Sequence, residues 1–306
     1  MVRRLLIGLN AIGNNRVLMM PDAYGLCQQA LSGLGASQRS PDVRMLDMPI
    51  THNAADSRRA AEMMRDAGAR CVIVLGGDGT ARIVSQGLGN TAMLALSTGT
   101  NNVLPCHADG TIAGIAAGAI ARQLVPIEQC AIRHKRLSIV TDTGENSALV
   151  DVTILDQQFI GSRAIWDARS IRQIIVTRAN PSSVGITSIA SMIQPIGPSE
   201  PVGLSVTVGE PSERDVAALL APGLIVNVPI ESHQRLAIGD KIDITASNKR
   251  LLLALDGERE IAIDKGKSAS VTLRRDGPWV IDIERTMHEL AHGGQLYNLR
   301  VREEET

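Results

Sequence analysis

The run Cys71-Val-Ile-Val-Leu75 leads without a break into Gly76-Gly77-Asp78-Gly79-Thr80 and then into the helix-compatible stretch Ala81 to Leu88. A β-branched, apolar run without alternation is the pattern of a strand buried on both faces, as in a parallel sheet covered by helices. Glycines directly after it let the backbone take φ > 0 and approach a ligand closely. The following helix aims its free amides and positive dipole end at the same place, and ligands of open α/β sheets bind at the carboxyl ends of strands. Asp78 adds a carboxylate that can hold Mg²⁺ or accept a proton from a hydroxyl. Thr80 can cap the helix or touch a phosphate. The same residues would also serve as a plain strand-to-helix turn with Asp78 as its cap.

The residues around this turn repeat the strand–helix alternation. Leu5 to Leu9 is a continuous apolar run that reads as a first buried strand, followed by the turn-rich Asn10-Ala-Ile-Gly13. Asn53 or Asp56 is placed to cap a helix through Met64, with Gly68 as its stop. Met93 to Leu96 reads as another short strand and Thr111 to Leu124 as an Ala-rich helix ending before Pro126. This alternation predicts a Rossmann-like α/β domain over 1–125. After Pro126 the texture becomes all-β. Candidate strands include Arg136 to Thr141, Ser147 to Leu155, Ile171 to Thr177, Gly203 to Val208, Leu224 to Val228, Lys241 to Ala246, Arg250 to Leu255 and Ala269 to Arg274. Asp256-Gly257 and Lys265-Gly266 supply turns between strands. The expectation is a β-sandwich domain over 126–283, with one helix near Ser182 to Ile193, and a C-terminal helix and tail over 284–306.

Two further segments gain meaning beside the Gly-rich turn. Ser97-Thr98-Gly99-Thr100-Asn101-Asn102 is a polar loop after a short strand, at the same edge of the sheet, and it can complete a phosphate or ribose site or simply connect elements. Leu255-Asp256-Gly257-Glu258 reads first as a hairpin turn. His288-Glu-Leu-Ala-His292 matches the H-E-x-x-H zinc string, but no third ligand follows and Gly293-Gly294 ends the helix. A surface helix is the expectation there, and Glu303-Glu304-Glu305 reads as a solvated tail.

The composition excludes several function classes. Lys plus Arg is 31 against 32 Asp plus Glu, so the chain lacks the basic footprint of a nucleic-acid binder. Aromatics make up 2% of the 306 residues, which leaves few stacking platforms for bases. Cys27, Cys71, Cys106 and Cys130 are widely spaced, without a C-x-x-C pair, and read as reduced core thiols. The N-terminal apolar run is too short for a signal peptide, and no stretch is long enough to span a bilayer. A cytoplasmic location follows as the expectation.

The Gly76-Gly-Asp-Gly-Thr80 turn, with a Gly-Thr loop about twenty residues on, resembles the superfamily of NAD kinases and diacylglycerol/sphingosine lipid kinases, and within it the acetoin catabolism protein X group. Asn10 to Gly13 is similar to the lipid-kinase Asn-Pro-x-x-Gly turn, with Ala11 for proline. Gly99-Thr100-Asn101-Asn102 is similar to Gly-Thr-Gly-Asn-Asp, with Val103 for the acid. Ala148-Leu-Val150-Asp151 falls where NAD kinases carry Asn-Glu, with Val150 for Asn. Asn180 to Thr187 falls where they carry Thr-Gly-Ser-Thr-Ala-Tyr, and Asp256-Gly257-Glu258 is similar to the lipid-kinase Asp-Gly-Glu. The resemblance implies an α/β nucleotide-binding domain, a β-sandwich, a C-terminal segment returning to the first domain, and an active site between the domains. It further implies ATP and Mg²⁺ as cofactors, NAD as a candidate substrate, and a homo-oligomer.

On that resemblance, Asp78 is the catalytic or Mg²⁺-binding residue. Gly76, Gly77, Gly79, Thr80, Thr98, Gly99, Thr100, Asn101, Asn102 and Asn10 are nucleotide-binding candidates, and Asp151, Asp256 and Glu258 are contributed by the second domain. Val150 cannot make the hydrogen bonds of Asn, a loss worth ~1–3 kcal/mol in a site built for them. Two functions therefore stand side by side: an ATP-dependent small-molecule kinase, and a nucleotide-binding regulatory protein without turnover linked to acetoin catabolism. A zinc hydrolase and an oxidoreductase are weaker, the latter because G-x-G-x-x-G is missing.

Overall fold

A computed structural model describes residues 1–14, 16–22, 24–32, 41–156, 170–210, 215–257 and 259–297. The first elements are α1 (Val2–Ala11), β1 (Arg16–Met19), α2 (Leu26–Ser32), β2 (Asp42–Met45), α3 (Ala54–Asp66), β3 (Cys71–Gly76), α4 (Asp78–Leu88), β4 (Ala92–Ser97), α5 (Gly110–Ala121) and α6 (Ile127–Cys130). Next come β5 (Ala131–Arg133), β6 (Arg136–Thr141), β7 (Gly144–Ala148), β8 (Asp151–Leu155), β9 (Ile171–Val176), α7 (Thr187–Ile193), β10 (Val202–Val208), β11 (Asp215–Ala221) and β12 (Leu224–Ala237). The chain continues through β13 (Lys241–Thr245), β14 (Leu251–Leu255), β15 (Arg259–Ile263), β16 (Ser268–Arg274), β17 (Trp279–Ile281) and α8 (Ile283–His292).

Strands β3 and β4 pair in parallel and are extended by β17 and β5. Successive residues of a strand face opposite sides, and both sides of this sheet are apolar. Ile73, Leu75, Leu94 and Leu96 face α1, α5 and α8. Val72, Val74, Met93 and Ala95 face α3 and α4. Each fully buried aliphatic side chain here contributes ~1.5–3 kcal/mol of transfer free energy. Leu290 of α8 is fully buried in the first of these layers, so the C-terminal segment does return to the first domain.

The N-terminal run differs from its sequence expectation. Leu5 to Leu9 is part of helix α1, not a strand. Val2, Leu5, Leu6, Leu9 and Ile12 recur at helical spacing, and that stripe packs into the layer shared with α5. Gly8 lies against the Thr111 carbonyl and Gly114 against the Leu5 carbonyl, so the two helices touch backbone to backbone. The first strand is β1, which pairs in parallel with β2 as a separate two-stranded sheet. A cavity of about 690 Å³ lies between this pair and β3, walled by Val17, Leu18 and Met19 on one side and Ile73, Val74 and Leu75 on the other.

The β-rich part is a sandwich. A seven-stranded sheet, in the order β11-β12-β10-β9-β8-β14-β15, faces a four-stranded sheet, β13-β16-β6-β7. Ile139, Val152, Ile154, Leu253, Val271 and Leu273 meet between them. Three details differ from the sequence reading. Ser147 to Leu155 is two strands, broken at Leu149–Val150. Leu224 to Val228 extends to Ala237, because this long strand pairs with both β11 and β10. The helix near Ser182 to Ile193 begins only at Thr187. No helix among the described residues is long and apolar enough to cross a membrane.

Candidate functional site between the α/β domain and the sandwich

The site starts where β3 ends. Gly77 caps α4 in extended backbone (φ −100°, ψ −172°) and, having no side chain, makes no side-chain cap bond to the first-turn amides. A Cβ on Gly77 would lie 2.8 Å from Asn102 Oδ1, and one on Gly76 would lie 2.7 Å from the Thr80 Cβ. Glycine is therefore demanded at both positions by close approach. Asp78 is buried at the start of α4, and its two carboxylate oxygens accept the Leu104 and Val103 N–H groups at 2.8 and 2.9 Å. Its orientation is thus fixed by the loop that leaves β4. That loop folds on itself: Asn102 Nδ2 donates to Ser97 Oγ at 2.8 Å, and Ser97 Oγ donates to the Gly99 carbonyl at 2.9 Å. Thr98, Gly99, Thr100 and Asn101 are exposed at the open side, while Gly79 is buried and Thr80 half-buried in the first turn of α4.

The sandwich supplies the opposite wall. Asp256 heads the turn between β14 and β15 in the left-handed region (φ 49°), followed by Gly257 (φ 70°), so the hairpin reading holds. The turn has a second task. Asp256 Oδ1 accepts the Leu149, Val150 and Asp151 N–H groups at 3.1, 2.8 and 3.2 Å. The break between β7 and β8 exists because this backbone wraps the carboxylate instead of continuing a strand. Arg82, one turn along α4 from Asp78, places Nε 3.3 Å from Asp256 Oδ2, with both side chains buried. The Arg82–Asp256 pair thus ties the α/β domain to the sandwich.

Asp151 is buried beside them and accepts the Thr153 hydroxyl at 2.9 Å. Burial, reinforced by the neighbouring Asp256 and Asp78 carboxylates, pushes its carboxyl up to about 8. Burial also raises Asp256, but the Val150 and Leu149 amides and Arg82 oppose it. The amides and Arg82 thus favour the negative charge on Asp256 over Asp151.

Several partners were not singled out from the sequence. Arg82 had a signal, its i, i+4 spacing from Asp78. Thr177 donates its hydroxyl to the Leu149 carbonyl at 2.6 Å. Arg178 follows it; burial lowers its guanidinium, and the Asp78 carboxylate opposes that lowering. His134 and Lys135, at the crossover between domains, are also buried. Lys135 Nζ donates to the Val202 and Gly197 carbonyls at 2.7 and 3.1 Å, and burial lowers it to about 8, aided by Arg275 and opposed by Glu200. Burial lowers His134 to about 3. Long-range contacts such as these leave no local pattern in a sequence.

Other candidates lie elsewhere. Asn10 belongs to the last turn of α1, where its carbonyl accepts the Gly13 N–H at 2.8 Å, so the expected turn after a first strand is not formed there. Among the described residues no hydrogen bond joins Asn10 to the Asp78 turn. Glu258 lies outside the described residues, as does the acidic tail. His288 and His292 are exposed on α8, and no group of three or more His, Cys, Asp or Glu among the described residues is arranged to hold a metal. Val150 is buried in the apolar layer with Leu104 and Leu149, so its side chain does not face the cleft.

Known proteins match this arrangement. A family profile described as the acetoin catabolism protein X C-terminal domain matches residues 135–276, and one described as the ATP-NAD kinase N-terminal domain matches residues 20–123. The acetoin catabolism protein X of Cupriavidus necator is 38% identical over 310 residues, covering 98% of this chain and 85% of that protein. Yeast NADH kinase, solved in complex with NADH, superposes with a TM-score of 0.55 at 14% identity, covering 99% of this chain and 86% of its own. An NAD kinase from Archaeoglobus fulgidus, in complex with ATP, gives 0.43 at 13% identity, covering 92% and 98%. The two-domain fold, α/β and then β-rich, is that of the NAD kinases.

Proposed function

The chain belongs to the acetoin catabolism protein X family, and from that premise we propose that it is an ATP-dependent small-molecule kinase transferring a phosphoryl group to a hydroxyl acceptor, NAD or a related metabolite. One observation carries the reading. The Asp78 carboxylate is held by two backbone amides at the carboxyl end of a buried parallel strand, at the start of a helix whose N-cap is a glycine without a capping side chain. That arrangement fits a polyphosphate.

In this reading the phosphates lie on Gly76, Gly77, Gly79 and Thr80, with Thr98 to Asn102 closing over them. Asp78 takes the proton from the acceptor hydroxyl as the acceptor oxygen bonds phosphorus and ADP leaves with the bridging oxygen. Alternatively Asp78 would hold Mg²⁺, which would supply neutralisation of phosphate charge. Positioning and electrostatics contribute most of the rate, as in other phosphoryl transfers.

A second reading is favoured by a separate observation. Val150 is packed in an apolar core, and Asp151 is bonded to Thr153, so neither acceptor-side candidate faces the cleft. A nucleotide-binding regulator without turnover, tied to acetoin catabolism, would need no acceptor site.

Calorimetry with ATP, with and without Mg²⁺, and with NAD decides first. The expected result is Mg²⁺-dependent ATP binding. Asp78→Asn then separates the readings. A kinase loses product formation by ~10²–10⁴-fold while staying folded. A regulator forms no product in either protein. A wild type that binds no nucleotide would overturn both.

A further inference from the structure

Arg178 is held at its backbone and free at its head. Thr177 before it donates its N–H to the Val150 carbonyl at 2.9 Å, and Ala179 after it exchanges backbone hydrogen bonds with Ile196 at 3.0 and 2.8 Å. The Thr177 hydroxyl adds a bond to the Leu149 carbonyl at 2.6 Å. These contacts belong to the same 149–151 backbone that wraps Asp256, so Arg178 leaves the sandwich at the wall facing Asp78. Its guanidinium is half-buried, and no hydrogen bond or ion pair among the described residues engages it. Desolvation lowers its pKa, and the nearby Asp78 charge partly restores it.

The charges around the cleft give this arrangement a purpose. The Asp78 carboxylate is near enough to Asp256 for its charge to act on it, and a polyphosphate brought to Asp78 adds more negative charge. Arg82 is committed to Asp256. Lys135 is turned inward onto the Gly197 and Val202 carbonyls. Among the described residues, Arg178 is a half-buried cation whose guanidinium makes no hydrogen bond or ion pair, and a guanidinium offers the planar fork that matches phosphate oxygens.

We propose that Arg178 is a phosphate-binding residue supplied by the sandwich domain, its guanidinium taking the terminal phosphate of a nucleoside triphosphate seated on the Gly76–Thr80 turn. This rests on the kinase-type nucleotide site proposed above and adds to it the residue that distinguishes a triphosphate from a diphosphate. Binding of the triphosphate then draws the two domains onto one ligand, because the Gly-rich turn and Arg178 come from opposite sides of the cleft.

The test is calorimetry of Mg²⁺-ATP, ADP and NADH on wild type, Arg178→Gln and Arg178→Lys, with urea unfolding of each. Arg178→Gln is expected to weaken ATP by about 10–100-fold, the worth of a charge-assisted bond, and to leave ADP within about 3-fold. Arg178→Lys recovers part of the ATP affinity. The unfolding midpoint stays unchanged, because no internal bond is lost. Equal ATP affinity in wild type and Arg178→Gln overturns this assignment and leaves the nucleotide site standing. So does weakening confined to NADH, or a loss of all ligands with a lowered midpoint. A wild type that binds no ATP removes the site and this inference together.

Discussion

Arg82 Nε lies 3.3 Å from Asp256 Oδ2, and this one buried ion pair joins the helix that begins with Asp78 to the hairpin turn of the sandwich. The pair is not isolated, because Asp256 also accepts amides from Leu149, Val150 and Asp151. Removing Arg82 leaves that carboxylate buried with its countercharge gone. Arg82→Met is expected to cost about 3–5 kcal/mol in urea unfolding. Adding Asp256→Asn, which removes the stranded charge and keeps most of the turn, should restore part of that loss. An Arg82→Met protein within about 1 kcal/mol of wild type would mean that the pair contributes little to joining the domains.

Gly77 packs the Asp78 turn directly against the loop that leaves β4. A Cβ there would sit 2.8 Å from Asn102 Oδ1, and Asn102 in turn holds Ser97. Gly77→Ala should push the Thr98–Asn102 loop outward rather than unfold the domain. The expected result is a fall in ATP affinity of about 10-fold, equivalent to the lower end of an overpacking cost, with an unfolding midpoint close to wild type. A variant that binds ATP as tightly as wild type would show that the loop takes no part in the site.

The sequence made the Asp78 turn legible because all its determinants are local: a buried strand, glycines and a helix start within Cys71 to Leu88. Asp256 was legible only as a hairpin, since its other task depends on amides about a hundred residues away. Leu5 to Leu9 misled because five apolar or glycine positions in a row fit a strand, and the helical stripe shows only when Val2 and Ile12 are included. Arg178 carries no local mark at all, because its meaning comes from Asp78, a residue of the other domain. Side chains that act across a domain interface are set by tertiary packing, which a pass along the chain does not see.

Asp151 makes stability depend on pH with a definite sign. Its folded pKa is raised, from the ordinary 3.8 to about 8, chiefly by burial and then by Asp256 and Asp78. The folded state therefore binds this proton more tightly than the unfolded state. The contribution is whole below pH ~4 and is lost as pH rises toward about 8. Asp151→Asn keeps a neutral polar group there and removes the titration. Asp256 titrates in the same direction, and His134, lowered by burial, in the opposite one below its ordinary 6.5. Both remain in the variant, so the comparison reads Asp151 together with its coupling to Asp256. Between pH 5 and pH 8 the stability of wild type should fall relative to Asp151→Asn by on the order of a few kcal/mol in urea titrations. Parallel curves would place Asp151 as an ordinary ionised carboxylate.

The resemblance to NAD kinases implies an asparagine at the position of Val150, and Val150→Asn tests whether that position faces a ligand. The side chain is 1% exposed and packs with Val72, Val74, Leu104 and Leu149, while its backbone N–H and carbonyl are taken by Asp256 and Thr177. An amide placed there finds apolar neighbours and leaves polar atoms without partners, at a cost of about 1–3 kcal/mol. The variant should therefore unfold at lower urea and bind NAD no better than wild type. A gain of tenfold or more in NAD affinity, with stability unchanged, would mean that the 149–151 segment can turn its side chains toward the cleft and that only the residue type, not the backbone, separates this chain from an NAD-binding acceptor site.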